Sequence, residues 1–304
     1  MTAAVLLPAA LAGWLAWQSA GGTDGEGPAG ARPGPSGAAP ARTDPGTPDP
    51  KNSTRPETGT RTPENGTGKP SAPERARPRP GPLSGRTVVI DPGHNPGNFQ
   101  HTAEINRKVD IGTNRKECDT TGTSTNDGYT EAAFTRDVSQ RLRTLLEKQG
   151  ARVEFTHDND RPFGPCVDER ARIGNSAGAD AAISVHADGS AQGNRGFHVI
   201  LPGAVRAGGA DTGPIVGPSR ELGERIAGRF VRATGSAPAN YVGGGTALDV
   251  RKDLGGLNLS TVPKVFIECG NMRDSRDAAL LKSPEWRQKA ALGIAEGVHG
   301  FLLR

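Results

Sequence analysis

Apolar and polar positions divide the chain into three unequal stretches. Residues 3–17 are almost wholly apolar. Residues 21–82 contain no Val, Ile, Leu, Met, Phe, Trp, Tyr or Cys. Periodic apolar patterning begins only after that and runs to the end. A stretch with nothing to bury cannot offset about 1–2 kcal/mol of backbone entropy per residue. Residues 21–84 therefore read as a disordered Pro/Gly/Thr-rich linker, and residues 85–304 as one folded domain.

Within that domain short apolar runs alternate with helical patterns. Residues 87–90 (TVVI), 151–155 (ARVEF), 181–185 (AAISV), 196–201 (GFHVIL) and 262–267 (VPKVFI) predict strands. Phe134, Val138, Leu142, Leu145 and Leu146 recur at helical spacing after Glu131, and Gly150 stops that helix. Residues 168–177 suit a short helix. Leu222, Ile226 and Phe230 mark another, ended by Gly235. Ser283 and Pro284 supply an N-cap and a first-turn proline for a final helix. Residues 95–130 and 203–219 predict loops, and the length of the first points to function. The alternation makes the fold α/β, a mostly parallel, twisted mixed sheet with helices on both faces. Ligands then belong beyond the carboxyl ends of the strands.

Charge changes this picture little. The net charge is +4 without a basic stripe, and only 4% of residues are aromatic, which argues against nucleic acid as a partner. The apolar stretch 3–17 is shorter than the roughly 20 residues of a membrane span. It has the length of a signal-peptide core, followed by small residues, but no Lys or Arg precedes it. Residues 1–20 are thus expected to be a signal peptide or a membrane anchor, and either means export. An exported chain tends to pair its cysteines. Cys118 and Cys166 lie in polar segments and are expected to form a disulfide, with three free thiols as the alternative. Cys269 follows VFIE and should be buried.

Chemically capable residues gather at the ends of these elements. The first strand runs into DPGH (His94), the third into HAD (His186) and the last into ECG (Glu268), while Glu131 opens a helix. Each alone has a bland reading as a polar turn or helix-end residue. A glutamate directly after VFI is harder to dismiss, because a carboxylate at the core edge costs several kcal/mol unless paired. Together, two His and one Glu with a second carboxylate have the composition of a catalytic zinc site.

The blocks VVIDPGH, YTEAAFTRDVSQRLRTLLEKQG, DERARIGNSAGADAAISVHAD and LNLSTVPKVFIECGNM resemble the zinc-dependent N-acetylmuramoyl-L-alanine amidases of bacterial cell walls. ECGNMRD and GPCVDER resemble the single-domain members from mycobacteria and their relatives. The resemblance implies one Zn²⁺ held by His94, Glu131 and His186, with Glu268 as catalytic base. It also implies peptidoglycan or muropeptides as substrate. Cys269 departs from the apolar residues usual there and should face away from the site. Asp91 is a candidate to orient His94, with turn chemistry an equal alternative. Arg115, Asn258 and Leu259 are candidates for substrate contact. His101 and His157 are expected to be solvated, His198 to be a satisfied sheet residue, and His299 to lie on the surface. A monomer is expected. The rival readings are a catalytically silent wall-binding module and a zinc peptidase that cuts within the stem peptide.

Overall fold

The computed structural model describes residues 80–304. The expectations for residues 1–20, and for the linker up to residue 79, lie outside the described residues. In chain order the strands are β1 (Thr87–Asp91), β2 (Lys108–Asp110), β3 (Arg115–Glu117), β4 (Arg152–Phe155), β5 (Ala181–Asp188), β6 (His198–Pro202), β7 (Arg206–Ala207), β8 (Ala210–Asp211), β9 (Leu248–Arg251) and β10 (Lys264–Asn271). The helices are α1 (Thr102–Ile105), α2 (Glu131–Lys148), α3 (Val167–Ser176), α4 (Gly213–Thr234), α5 (Gly255–Asn258), α6 (Ser275–Lys282) and α7 (Pro284–Leu302).

The main sheet has the order β4-β1-β5-β10-β6-β9. The first four strands are mutually parallel, β6 runs against β10, and β9 follows β6. This is the mixed, mostly parallel sheet that the alternation predicts. Strand alternation gives its two faces different work. Val88, Ile90, Ile183, Val185, Val199, Leu201, Val265, Ile267 and Cys269 join one core with the apolar stripes of α2, α4 and α7. Cys269, 1% exposed, thus faces away from Glu268. On the opposite face, Val89 and Ala182 pack beneath α3 beside Ile173. That face also carries Asp91, Ser184, His186 and Glu268.

Several boundaries differ from expectation. The domain begins before residue 85: Leu83 is fully buried, and its amide donates to the Gln149 carbonyl at 2.9 Å. Residues 80–84 therefore belong to the fold, because one leucine in a polar stretch has a core to enter. The loop 95–130 contains the hairpin β2–β3, around a small cluster of Val109, Ile111, Cys118 and Cys166. The loop 203–219 is in fact the hairpin β7–β8 and the first two turns of α4. Gly213, Gly217 and Pro218 look like breakers, but Pro214 sits in the first turn, where its missing N–H costs nothing. Ile215 and Ser219 are buried, and the Ser219 hydroxyl accepts from the Lys264 amide at 3.0 Å. That packing outweighs weak propensity. No described helix is long and apolar enough to cross a membrane.

Candidate metal centre

His94, Glu131 and His186 arrive from three elements. β1 ends at Asp91, and the turn that follows places Gly93 at φ 65°, the left-handed region that favours glycine. A Cβ there would lie 2.7 Å from the Val185 carbonyl oxygen, so only glycine lets the turn lie against β5. α2 begins at Glu131 because the Thr130 hydroxyl caps it, accepting from the Ala133 amide. The Thr135 hydroxyl, one turn on, donates to the Pro92 carbonyl and ties α2 to the His94 turn. His186 lies within β5, which runs three residues further than the apolar pattern predicts. Its ring stacks on Phe266, with centroids 5.2 Å apart.

The three side chains converge on one point. Glu131 Oε1 is 3.2 Å from His94 Nε2 and 3.0 Å from His186 Nδ1. All three ligand atoms lie within 4.8 Å of one another. Three donors about 2.1 Å from a tetrahedral metal sit roughly 3.4 Å apart, so this cluster can hold a metal ion. The donor set of two imidazoles and a carboxylate, without thiolate, suits zinc. Glu131 Oε2 accepts from the Thr123 amide at 2.9 Å, which holds the carboxylate in place.

Electrostatics bind the cluster together. Burial disfavours the His94 cation, but the Glu131 carboxylate outweighs it and raises the ring to about 9. Burial likewise opposes the Glu131 anion, yet the two histidines hold it well below the usual carboxylate range. Glu268 behaves oppositely. Burial, then the charges of Glu131 and Asp188, push its carboxyl well above the ordinary value. β10 places Glu268 directly between His186 on β5 and His198 on β6. Its Oε2 is buried and has no hydrogen-bond partner among the described residues.

The expected orienting role of Asp91 needs correction. Its carboxylate accepts from Thr156, Ser184 and Arg170 and forms no hydrogen bond with His94. The His94 Nδ1–H instead donates to the Thr120 carbonyl at 3.0 Å. Asn258 is also not a groove residue. It is 1% exposed and donates to the carbonyls of Ile111 and Lys252, which clamps a loop. Leu259 is half-buried, and its carbonyl accepts from Asn175 on α3. Arg115 is exposed on the β2–β3 hairpin and donates to the Lys108 carbonyl. His157, expected in solvent, is 4% exposed and lies behind the Gly93 carbonyl. Cys118 and Cys166 are joined as a disulfide, and Cys269 is free.

Gly122 is a site residue that sequence reasoning missed. A Cβ at Gly122 would meet the His94 ring at 2.8 Å and Glu131 Oε2 at 3.0 Å. Its loop can approach the cluster only because the side chain is absent. The lone glycine in TTGTST, before a capped glutamate, is the available signal.

Residues 88–300 match the family model described as N-acetylmuramoyl-L-alanine amidase. The chain is 42% identical over 224 residues to the N-acetylmuramoyl-L-alanine amidase Rv3717 of Mycobacterium tuberculosis, covering 73% of this chain and 89% of the relative. The crystal structure of the amidase Ami1 from Mycobacterium smegmatis superposes with a TM-score of 0.66 at 41% identity, over 72% of this chain and 98% of that one. Ami1 from Mycobacterium abscessus gives 0.66 at 39% identity, over 72% and 100%. With a family match across nearly all the described residues and a relative this similar, the chain belongs to the N-acetylmuramoyl-L-alanine amidases, enzymes that hydrolyse the amide joining N-acetylmuramic acid to L-alanine.

Proposed function

We propose that the chain carries out this hydrolysis on peptidoglycan or its muropeptides with one zinc ion held by His94, Glu131 and His186. The observation that carries the reading is the convergence of three ligand atoms beside a buried carboxyl whose Oε2 has no partner among the described residues. Zinc, when bound, supplies a Lewis acid and lowers the pKa of a water toward about 7. Glu268 is the base: it takes a proton from the attacking water and returns it to the departing L-alanine nitrogen. A carboxyl whose proton affinity is raised by burial and by Glu131 and Asp188 is suited to both halves of that transfer. The Thr120 carbonyl holds the His94 ring through Nδ1 and leaves Nε2 free to face the metal position, so little reorganisation of that ligand remains when substrate arrives.

Peptidoglycan lies outside the cytoplasm, so the site of action is extracytoplasmic, reached through residues 3–17 as export signal or membrane tether. The protein acts as a monomer. Mass spectrometry of muropeptides treated with zinc-loaded and chelator-stripped protein tests the reading. Release of intact stem peptides with a free L-alanine amine, only by the loaded form, is expected. A shortened peptide left on the sugar identifies a stem peptidase instead, and no cleavage by either form identifies a silent module.

A further inference from the structure

Arg170 takes no part in the reaction derived above, yet its guanidinium is directed at the frame around His94. It lies on α3 and is 4% exposed. Nη1 donates to the Asp91 carboxylate and to the Gly93 carbonyl, both in the turn that carries His94. Nη2 donates to Asp119 Oδ2 at 2.6 Å, in the loop that supplies the acceptor for the His94 ring. Nε donates to the Pro165 carbonyl at 2.8 Å, which fixes the guanidinium plane. Asp119 Oδ1 accepts from the Thr120 amide at 2.8 Å, and the Thr120 carbonyl takes the His94 Nδ1–H. Asn98 closes the frame by donating to both Asp119 and the Thr120 carbonyl.

The guanidinium therefore spans the two segments that determine where the His94 ring sits. One sets the backbone position of His94, and the other sets the partner of its Nδ1. A scaffold needs no such placement: a buried ion cluster is often no more stabilising than apolar packing of the same volume. A planar fork that reaches two carboxylates and two carbonyls is what an arginine alone provides. Burial works against the cation, but Asp119 and Asp91 outweigh it and raise its pKa, so the fork keeps its charge.

We propose that Arg170 is a positioning residue for His94, and that it acts through the Asp91–Gly93 turn and the Asp119–Thr120 loop to set the zinc affinity of the site. The proposal rests on the zinc reading above. Lysine at this position keeps the charge that Asp91 and Asp119 require but has one nitrogen and cannot span both segments.

The test measures zinc dissociation constants of the full chain by competition with a chromophoric chelator, for wild type, Arg170→Lys and Asp119→Asn. It adds the visible spectrum of the cobalt-substituted forms, and circular dichroism for the fold. Both variants are expected to bind zinc at least about tenfold more weakly and to show altered cobalt bands while retaining wild-type circular dichroism. Wild-type affinity and an unchanged cobalt spectrum in the folded variants overturn the proposal. Unfolding of both overturns it in favour of a scaffold role. If one variant unfolds, the other decides by the same criteria. Failure of the wild type itself to bind zinc strikes the zinc reading instead.

Discussion

In the metal-free protein His94, the first of the three proposed zinc ligands, is a proton-binding site. The Glu131 carboxylate lies 3.2 Å from its Nε2 and raises the ring from 6.5 to about 9. At pH 7 roughly one ring in a hundred is then neutral. Zinc requires a neutral imidazole, so binding at pH 7 must expel about one proton from His94. Apparent affinity should rise about tenfold per pH unit from pH 7, and level off near pH 9 about 100-fold higher. Glu131, held well below the usual carboxylate range, stays ionised throughout and contributes no proton. Metal-free stability moves the other way. A folded pKa above the unfolded value stabilises fully below pH 6.5, and that contribution is lost as pH rises through 9. Its size is about 3 kcal/mol. Calorimetric zinc titration in two buffers of different ionisation enthalpy counts the protons, and melting of the metal-free protein between pH 6.5 and 9 follows the second effect. Zinc binding at pH 7 without proton release, with flat affinity up to pH 9, would refute the pairing of His94 with Glu131.

Glu268→Ala should bind zinc as the wild type does but lose at least about a hundredfold in turnover, measured by muropeptide release; wild-type turnover removes it from the mechanism. Gly122→Ala pushes a methyl group against the His94 ring, so weaker zinc binding with the fold intact is expected from chelator competition. Leu83→Ala should cost about 2–5 kcal/mol in urea unfolding. A neutral result there would place the start of the domain after residue 84. Replacing both Cys118 and Cys166 by Ser opens a loop of 48 residues in separation and should cost about 4 kcal/mol by the same measurement.

What was legible in the chain depended on whether a residue interrupts a periodic pattern. Thr87 to Ile90 and Ala181 to Val185 are continuous apolar runs, so the residues ending them stood out, and His94, His186 and Glu268 were visible for that reason. Glu131 stood out because it opens a helix, whose N-terminus favours a negative charge. Thr120 was not visible, since it lies in a polar loop where nothing repeats, and Gly122 is marked there only as a lone glycine among threonines. Arg170 shares the buried face of α3 with Ala171 and Gly174. A charge on an apolar face is a signal, but the short helix hides it. Asp91 as an orienting partner of His94 and Asn258 as a substrate contact rest on adjacency in the chain alone; Asp91 turns to Arg170 and Asn258 to the Ile111 and Lys252 carbonyls, which only the folded chain supplies. The helical start of α4 was hidden by glycine and proline, whose weak propensity is overcome by contacts distant in sequence.

The neighbours Glu268 and Cys269 occupy opposite faces of β10, one beside the metal cluster and the other in the main core. A slip of one residue in pairing with β5 would exchange them. It would bury a carboxylate among aliphatic side chains and turn a thiol toward the reaction centre. A register error at this strand therefore carries a steep energetic cost and removes the proposed base from the site at the same time.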